Sequence, residues 1–247
     1  MPFAGHPTNS QLRRLIERVE TNPNRRNRLF ARFGEPRAAV VRGLTDSILR
    51  FAVSEWEALQ GALVLDYGCG VLPYKTIFEI AEARLLGADI DENPHAQVRI
   101  TENGLLPLES GSFDYVVSFQ VLEHIQAPQD YLREAARLLK PHGRLFVTTH
   151  GVWPYHPTPG DFHRWTMAGL SSEVEQAGFC VHAISYVLND YSALVQAFVL
   201  TAHYRGVWKS LRSPIHLLTH LVLLLLERTV CQPVEMPAVI CIVGEKL

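Results

Sequence analysis

The chain has 247 residues, of which 47% are apolar and 19% are charged, with a formal net charge of −2 at neutral pH. This composition excludes an intrinsically disordered chain, because such chains have fewer apolar residues and a larger net charge. It also argues against a general nucleic-acid-binding protein, which needs a clustered excess of Lys and Arg to contact phosphates. The four cysteines form no Cys-x-x-Cys pair, so we expect reduced thiols and no disulfide framework.

The first sixty residues are predicted to form an N-terminal helical cap. Helical periodicity places four apolar residues on one face of a first helix: Leu12, Leu15, Ile16 and Val19. Residues 22–24 break this pattern, and a second helix is expected to start near Pro36, since proline is favoured in the first helical turn. Ser54 and Glu57 have the spacing of a capping box and predict a third, short helix.

A cluster of arginines lies in this cap and comprises Arg25, Arg26, Arg28, Arg32, Arg37 and Arg42. A solvated helical face is the simplest interpretation of such a cluster. Two functional alternatives are a lid over an anionic substrate and a patch that faces anionic lipid.

From residue 61 to residue 247 the pattern predicts one α/β domain in which strands alternate with helices. The predicted strands cover residues 62–66, 84–90, 98–101, 113–118, 144–149, 179–186 and 238–244, and the predicted helices between them cover 74–83, 129–139 and 167–177. Right-handed crossovers between such strands give a mostly parallel, seven-stranded sheet with helices on both faces. Residues 188–230 are predicted to be a helical insertion before the last strand.

The apolar stretch from Pro214 to Leu226 is the strongest candidate for a membrane contact. It is shorter than the roughly 18–20 residues that span a bilayer, and polar residues interrupt it, so we expect no transmembrane helix. A buried helix or a homodimer contact is the simplest interpretation, and a peripheral membrane contact is the alternative. The first residues lack the apolar run of a secretory signal, so we expect a cytoplasmic protein that is either free or peripherally attached to a membrane.

The most informative segment reads V-L-D-Y-G-C-G over residues 64–70. A strand ends there, and two glycines allow a tight turn beside a ligand. Asp89 follows Gly70 by nineteen residues, a spacing suited to an acid that binds ribose hydroxyls. Pro73 replaces the last glycine of a dinucleotide motif, and the Asp66 carboxylate would repel a diphosphate but suits an ammonium or sulfonium group. A nucleoside with a cationic tail therefore fits better than NAD.

These residues resemble class I S-adenosylmethionine-dependent methyltransferases, and in particular their type 11 branch. Residues 64–70 and the G-A-D-I of residues 87–90 resemble motifs I and II of that family. The segments L-P-L…G-S-F-D-Y-V-V (106–117), V-L-E-H (121–124) and R-E-A-A-R-L-L-K-P-H-G (133–143) resemble its later motifs in the same order. The resemblance covers about residues 64–179 and the last strand, and it implies a Rossmann-like α/β fold.

The resemblance also implies which residues bind S-adenosyl-L-methionine: Asp66, Tyr67, Gly68, Gly70, Asp89, Ile90, Glu102 and Gln120. In this assignment Asp66 orders the cofactor's amino group and Asp89 holds the ribose hydroxyls. Glu102, or its neighbour Asn103, would contact the adenine amino group. One departure from the family pattern is that Leu72 stands where the third glycine is usual. Helix or turn capping is the alternative role for the two aspartates, and a solvated loop acid is the alternative for Glu102.

The loop after the fifth strand, residues 150–166, is expected to meet the substrate, because ligands bind at the carboxyl ends of strands in open α/β sheets. His156 is the first candidate for a catalytic base, with Asp161 orienting it, and His124 and His150 follow. Tyr155 and Arg164 are candidate substrate-binding residues, the latter because a guanidinium can clamp a carboxylate or phosphate.

Structural roles compete with each of these assignments. His163 and Trp165 would then only pack the loop, and Arg164 would pair with Asp161. A metal site formed by His150, His156, Asp161 and His163 is a weaker alternative, because these residues have no recognised ligand spacing, and we expect no metal.

The sequence therefore predicts an S-adenosylmethionine-dependent methyltransferase that methylates a small-molecule or glycan-type acceptor, at oxygen. An NAD-dependent sugar oxidoreductase and a non-catalytic S-adenosylmethionine-binding protein are the alternatives. No nucleic-acid partner is expected, since no D/N-P-P-Y-type motif is present.

Overall fold

The computed structural model describes residues 6–32, 34–90, 93–101, 104–207, 212–229 and 234–247. Glu102 and Asn103, the expected adenine contacts, lie outside the described residues, and so does Cys231. Cys69, Cys180 and Cys241 are free thiols, in agreement with the prediction.

A seven-stranded sheet organises the fold, with the strand order β3-β2-β1-β4-β5-β7-β6. Its strands are β1 (Leu63–Tyr67), β2 (Arg84–Asp89), β3 (Val98–Arg99), β4 (Phe113–Phe119), β5 (Leu139–His150), β6 (Phe179–Val187) and β7 (Val239–Lys246). β7 pairs antiparallel with β5 and β6, and the pairs among β1–β5 are parallel. The predicted class, a mostly parallel Rossmann-like α/β sheet, is confirmed. All seven predicted strands are present, although β3 is shorter than expected and β5 starts five residues earlier.

The order of the strands reverses at β1 and β4, which are neighbours in the sheet although β2 and β3 lie between them in the chain. Such a switch point leaves a crevice at the carboxyl ends of the two strands, where ligands bind in open α/β sheets. The turn after β1 and the single 3₁₀ turn Leu122–His124 after β4 both lie at this edge.

Helices cover both faces of the sheet because the central strands are buried on both sides. One face is covered by α6 (Pro128–Leu138) and α7 (Met167–Gln176), and the other by α5 (Lys75–Ile80) and the N-terminal helices. These last are α1 (Asn9–Val19), α2 (Pro23–Leu29), α3 (Ala38–Ser54) and α4 (Trp56–Leu59). Leu12, Ile16 and Ile48 share a hydrophobic core with Val64 of β1, so the predicted cap packs directly on the sheet.

The structure differs from the local expectations about the cap at three places. The capping box is at the start of α1, where Thr8 and Gln11 cap each other's backbone, whereas α4 has no side-chain cap. Residues 22–24 also start a further helix, since Asn22 caps α2 and Pro23 occupies its first turn. Val19 is exposed at the end of α1 and does not join the buried face.

The insertion before β7 forms two helices, α8 (Asp190–Tyr204) and α9 (Arg212–Thr229), which pack on each other. The expectation of a buried leucine-rich helix is wrong for α9: Leu218 and Leu225 are 62% and 61% exposed, whereas His216, Thr219 and His220 are buried. Apolar side chains on α8 are also exposed, including Leu194 and Phe198. In the described part of the chain, neither α9 nor any other helix has the length and hydropathy to cross a membrane.

Candidate functional site

The turn after β1 is shaped by residues with a left-handed backbone. Gly68 has φ +80°, and a Cβ atom there would lie 2.5 Å from the side chain of Val121, so only glycine fits. Gly70 has φ +51° and faces open space. Leu72 stands where the family pattern has its third glycine. Its φ is +53°, a left-handed backbone that glycine adopts without strain. The substitution therefore preserves the path of the turn, at a cost of about 1–2 kcal/mol for a residue with a Cβ.

Asp89 ties the end of β2 to this turn. Its carboxylate accepts hydrogen bonds from the backbone N–H of Gly70 (2.8 Å), from the backbone N–H of Ile90 (2.8 Å) and from Nδ2 of Asn93 (2.6 Å). The carboxylate is thereby fixed on the wall of the cavity next to the turn, where a ribose could reach its oxygens. Ile90 lies on the same wall and is half exposed.

Asp66 and Tyr67, the last residues of β1, are buried beneath the turn. Asp66 is 2% exposed, and burial together with the nearby charge of Asp89 raises the pKa of its carboxyl to about 8. The carboxyl is therefore mostly protonated at neutral pH in the ligand-free protein. A cationic ligand would favour its ionised form, which fits an ammonium or sulfonium group. The Tyr67 hydroxyl donates to the backbone oxygen of Gly104 (2.6 Å), and its ring lines the cavity.

Gln120 follows β4 and lines the same cavity as Gly68 and Gly70. It has φ +59°, and its Nε2 donates to Oγ1 of Thr148 (3.1 Å) on β5. Its Oε1 is buried and has no hydrogen-bond partner among the described residues. A buried acceptor without a partner is unfavourable, so an N–H donor of a ligand, such as the amino group of S-adenosylmethionine, would satisfy it. The site residues in the described chain therefore fit this cofactor.

A single cavity of about 830 Å³ joins this turn to the loop after β5. Its walls include Gly68, Gly70, Asp89 and Gln120 at one end, and His124, His150 and His156 at the other. Ligand sites of this kind usually have volumes of about 300–1,000 Å³. The cavity therefore has room for a nucleoside cofactor and a small acceptor side by side.

The loop that closes the second end is held by an ion pair. Arg164 donates from Nη1 and Nη2 to the two carboxylate oxygens of Asp161 (2.5 and 2.7 Å). Its other N–H groups bond to the backbone oxygens of Trp153, Pro154 and His163. These interactions use all five N–H donors of the guanidinium. Arg164 thus acts within the loop, and this geometry does not support the substrate clamp expected from the sequence.

Asp161 likewise serves the loop. Burial alone would raise its pKa, but the hydrogen bonds from Arg164 prevail and lower it to about 2. It accepts the backbone N–H of His156 (2.9 Å), and its Oδ2 lies 3.6 Å from Nδ1 of the same residue. Asp161 is therefore placed next to the His156 ring. Tyr155, in contrast, is 72% exposed and does not line the cavity.

The structure brings together three histidines and a glutamate at this end of the cavity. The ring of His156 lies 5.0 Å from that of His124 and 5.2 Å from that of His150, between centroids. Nδ1 of His124 is hydrogen-bonded to the backbone oxygen of Gly160. Glu123 is fully buried, and its Oε1 lies 3.3 Å from Nε2 of His150. Burial raises the pKa of Glu123 and lowers those of His150 and His156, so the uncharged forms are favoured.

Sequence reasoning gave no site role to two residues that line this cavity and to one that is buried beside it. Arg28 and Arg37 were predicted only as members of the arginine cluster, and the structure places both on the cavity wall. Three other members donate hydrogen bonds to backbone oxygens: Arg25, Arg26 and Arg42. Glu123 was quoted only within the V-L-E-H motif. Its position directly before His124 at the end of β4 was the available signal for the missed carboxylate.

Comparison with known proteins agrees with this geometry. A protein family described as a methyltransferase domain matches residues 12–184. A probable S-adenosylmethionine-dependent methyltransferase of Mycolicibacterium smegmatis is 34% identical over 134 residues, which are 48% of this chain and 52% of that protein. A ubiquinone biosynthesis O-methyltransferase of Xanthomonas oryzae is 36% identical over 106 residues, which are 37% and 44% of the two chains. The chain thus spans about half the length of these curated relatives.

Solved structures share the fold at low sequence identity. The [4+2]-cyclase SpnF superimposes with a TM-score of 0.55 and 19% identity, covering 97% of this chain and 96% of that one. An S-adenosylmethionine-dependent methyltransferase from Mesorhizobium loti superimposes with a TM-score of 0.51 and 14% identity, covering 79% and 97%. At these identities the likeness concerns the fold alone.

The family match extends over well over half of the chain and includes the glycine turn, Asp89 and Gln120. This match favours a methyltransferase over the NAD-dependent oxidoreductase alternative. It agrees with the sequence motifs and with the fit of the cavity to a cationic nucleoside. The chain therefore belongs to the methyltransferase domain family, whose members are enzymes that use S-adenosyl-L-methionine as cofactor.

Proposed function

We propose that this protein transfers a methyl group from S-adenosylmethionine to a hydroxyl of a small-molecule or glycan-type acceptor. The observation that carries the proposal is the continuous cavity, which joins the predicted cofactor residues Gly70 and Asp89 to His124 and His156. An acceptor bound at the histidine end would lie next to the methionine end of the cofactor. The name of the Xanthomonas oryzae relative, an O-methyltransferase, supports oxygen as the methylated atom.

Methyl transfer needs little chemistry from the protein. The bound cofactor supplies a methyl group on a positively charged sulfur, and the reaction is an in-line displacement that depends on positioning. The chain's own residues hold the acceptor in line and take up the proton of its hydroxyl. Gln120 and Asp89 fix the cofactor side of the cavity, and the loop held by Arg164 and Asp161 fixes the acceptor side.

Of the three histidines predicted as candidates for the base, His156, His124 and His150, we propose His124. In a neutral imidazole whose Nδ1–H donates to the backbone oxygen of Gly160, the lone pair is on Nε2. His124 lines the cavity, so this nitrogen can accept a proton from an acceptor hydroxyl. Nδ1 of His156 faces Asp161, which leaves its Nε2 as a second candidate for the base.

The acceptor is proposed to carry an acidic group. Arg28 of α2 and Arg37 before α3 line the cavity, and their charges can attract a carboxylate or a phosphate into it. This assigns to two members of the arginine cluster the lid role that the sequence left open. The other members with described contacts, such as Arg25 and Arg42, bind backbone oxygens of the protein.

The acceptor is also proposed to come from a lipid surface. The exposed leucines of α9 face away from its buried polar residues, which is the reverse of a helix that packs on a soluble core. Gln196 of α8 donates to the backbone oxygen of Pro36, so this apolar pair of helices lies next to the arginine-bearing cap. Apolar and basic groups side by side suit an anionic membrane surface.

Incubation of the purified chain with S-adenosylmethionine labelled in the methyl group and with pools of hydroxylated acceptors tests the proposal. Mass spectrometry of the products should find the label on an oxygen of an acidic acceptor. If the chain binds the cofactor but labels no acceptor in any pool, it is the non-catalytic binding protein considered above. Label on nitrogen or carbon would contradict O-methylation while leaving methyl transfer intact.

A further inference from the structure

The end of the cavity next to the loop holds more metal-binding donors than the proposed methyl transfer requires. Glu123, His150 and His156 each offer one ligand atom, and these three atoms lie within 4.8 Å of one another. The three residues come from three places in the chain: the 3₁₀ turn after β4, the end of β5 and the loop after it. Their convergence is a property of the fold and not of any local motif.

Several polar atoms in this cluster lack partners. Oε1 of Glu123, Nδ1 of His150 and Nδ1 of His156 are buried and have no hydrogen-bond partner among the described residues. Glu123 is fully buried and His150 is 5% exposed, so water cannot easily satisfy their orphaned atoms. Buried polar atoms are almost always paired in folded proteins, and an ion held by Oε1 of Glu123 would give that atom a partner.

The spacing of two of these donors suits one ion. Oε1 of Glu123 and Nε2 of His150 are 3.3 Å apart. Two ligands at about 2.1 Å from a shared metal and separated by this distance subtend about 104°, close to a tetrahedral angle. The His156 donor lies within 4.8 Å of both atoms, and its half-buried ring lines the cavity, so a shift of this ring lets all three donors share one ion.

Neighbouring side chains hold these donors in place. Oγ1 of Thr149 donates to Oε2 of Glu123 (2.8 Å), which leaves Oε1 free. The ring of His150 stacks on Trp153, with 4.5 Å between centroids. The Asp161 carboxylate lies 3.6 Å from Nδ1 of His156 and can orient this ring while Nε2 binds.

We propose that Glu123, His150 and His156 bind one divalent transition-metal ion, such as zinc, on the acceptor side of the cavity. Two imidazoles and one carboxylate are the ligands that zinc and similar ions prefer, whereas magnesium and calcium prefer all-oxygen sites. In the metal site suggested by the sequence, Asp161 and His163 stood in place of Glu123. The structure excludes both from the set, because Asp161 is bound to Arg164 and His163 lies outside the cluster. An ion here would bind the acceptor oxygen and favour its deprotonated form. That role rests on the proposed methyl transfer, whereas ion binding does not.

Titration of the chelator-treated full chain with Co²⁺ tests the site without any measurement of activity. We expect one Co²⁺ per chain, with the intense visible absorption of a four-coordinate ion, and its displacement by Zn²⁺. His156→Ala is the main variant, because the half-exposed ring can be removed with little effect on folding, and Glu123→Gln is the second. Each should weaken binding at least about tenfold, since each removes a ligand.

His163→Ala is the matched control, because it removes an imidazole from the same loop. Nε2 of His163 lies 3.3 Å from the backbone oxygen of Gln126. This variant should bind Co²⁺ like the unaltered chain. No stoichiometric binding, or equal binding by His156→Ala and the unaltered chain, would overturn the metal site. If Co²⁺ binds as expected and no acceptor is methylated, the proposed function fails and the metal site stands. If an acceptor is methylated and no Co²⁺ binds, the metal site fails and the proposed function stands.

Discussion

The backbone N–H of Gly70 donates a 2.8 Å hydrogen bond to Oδ2 of Asp89, across nineteen residues of chain. This bond joins the turn after β1 to the end of β2 and places the carboxylate on the cavity wall. Replacing Asp89 with Ala should weaken S-adenosylmethionine binding at least about tenfold, because hydrogen bonds to a charged group contribute about 1.5–3 kcal/mol. Calorimetric titration with the demethylated cofactor measures this directly. An unchanged Kd would mean that Asp89 only caps the turn.

Cofactor affinity should depend on pH through Asp66. Its pKa is about 8 in the ligand-free protein, so binding of a cation at pH 7 should release a proton. Affinity should therefore increase as the pH rises towards 8, by at most about tenfold per pH unit, and level off above it. Calorimetry in two buffers of different ionisation enthalpy counts the protons. Asp66→Asn should bind weakly at every pH, without this slope.

The same carboxyl makes a prediction about folding. Because its pKa in the folded state is raised above the ordinary value of 3.8, the folded chain binds more protons than the unfolded chain between about pH 4 and 8. The contribution of Asp66 to stability is present in full below pH 4 and is lost as the pH rises to 8. Urea unfolding of the ligand-free protein should show a steeper loss of stability over this range than Asp66→Asn shows. Parallel curves for the two proteins would contradict the raised pKa.

His124→Ala should lower kcat by about 10²–10⁴-fold, the usual contribution of a general base, with cofactor affinity nearly unchanged. His124→Asn separates catalysis from structure, because its amide can still donate to the Gly160 oxygen but cannot accept a proton. Steady-state kinetics with the acceptor found by labelling provides the measurement. A near-normal kcat for His124→Asn would assign His124 to holding the loop.

The Asp161–Arg164 pair should act on the loop and not on the cofactor. Arg164→Ala is expected to lower Tm and raise the acceptor KM, while the Kd for S-adenosylmethionine stays within about twofold. A double-mutant cycle with Asp161→Asn should give a coupling energy of about 1–3 kcal/mol, since the Asp161 side chain is only 2% exposed and the pair is bidentate. A coupling near zero would contradict the role assigned to the pair.

The exposed face of α9 should bind anionic vesicles. Leu218→Ser combined with Leu225→Ser should reduce binding in a flotation assay more than tenfold, because a buried leucine contributes about 1.5–3 kcal/mol. Val19→Ser is the matched control, since Val19 is an exposed apolar residue on α1. Equal flotation of all three proteins would contradict the membrane contact. Loss of a dimer in solution without loss of flotation would assign the face to a second copy of the chain.

Much of the fold could be predicted because its signals are local. The apolar runs that form β1, β4 and β5, and the glycines that turn the chain after β1, act on their own neighbours in sequence. Asp66, Gly68, Gly70 and Asp89 were found for the same reason, since the turn and the strand ends fix their positions relative to each other. α9 was misread because an apolar periodicity does not say which face of a helix meets the protein.

The sequence by itself thus determined the sheet, the family and the glycine turn proposed to hold the cofactor. Only the tertiary structure brought Arg28 and His156 to the walls of one cavity, although about 130 residues separate them in the chain. The tertiary structure also shows that Arg164 uses its N–H donors within the loop, which the identity of the residue alone does not reveal. The physical reason is that side chains from different elements meet only when the sheet and its helices have packed, and spacing along the chain carries no record of that packing.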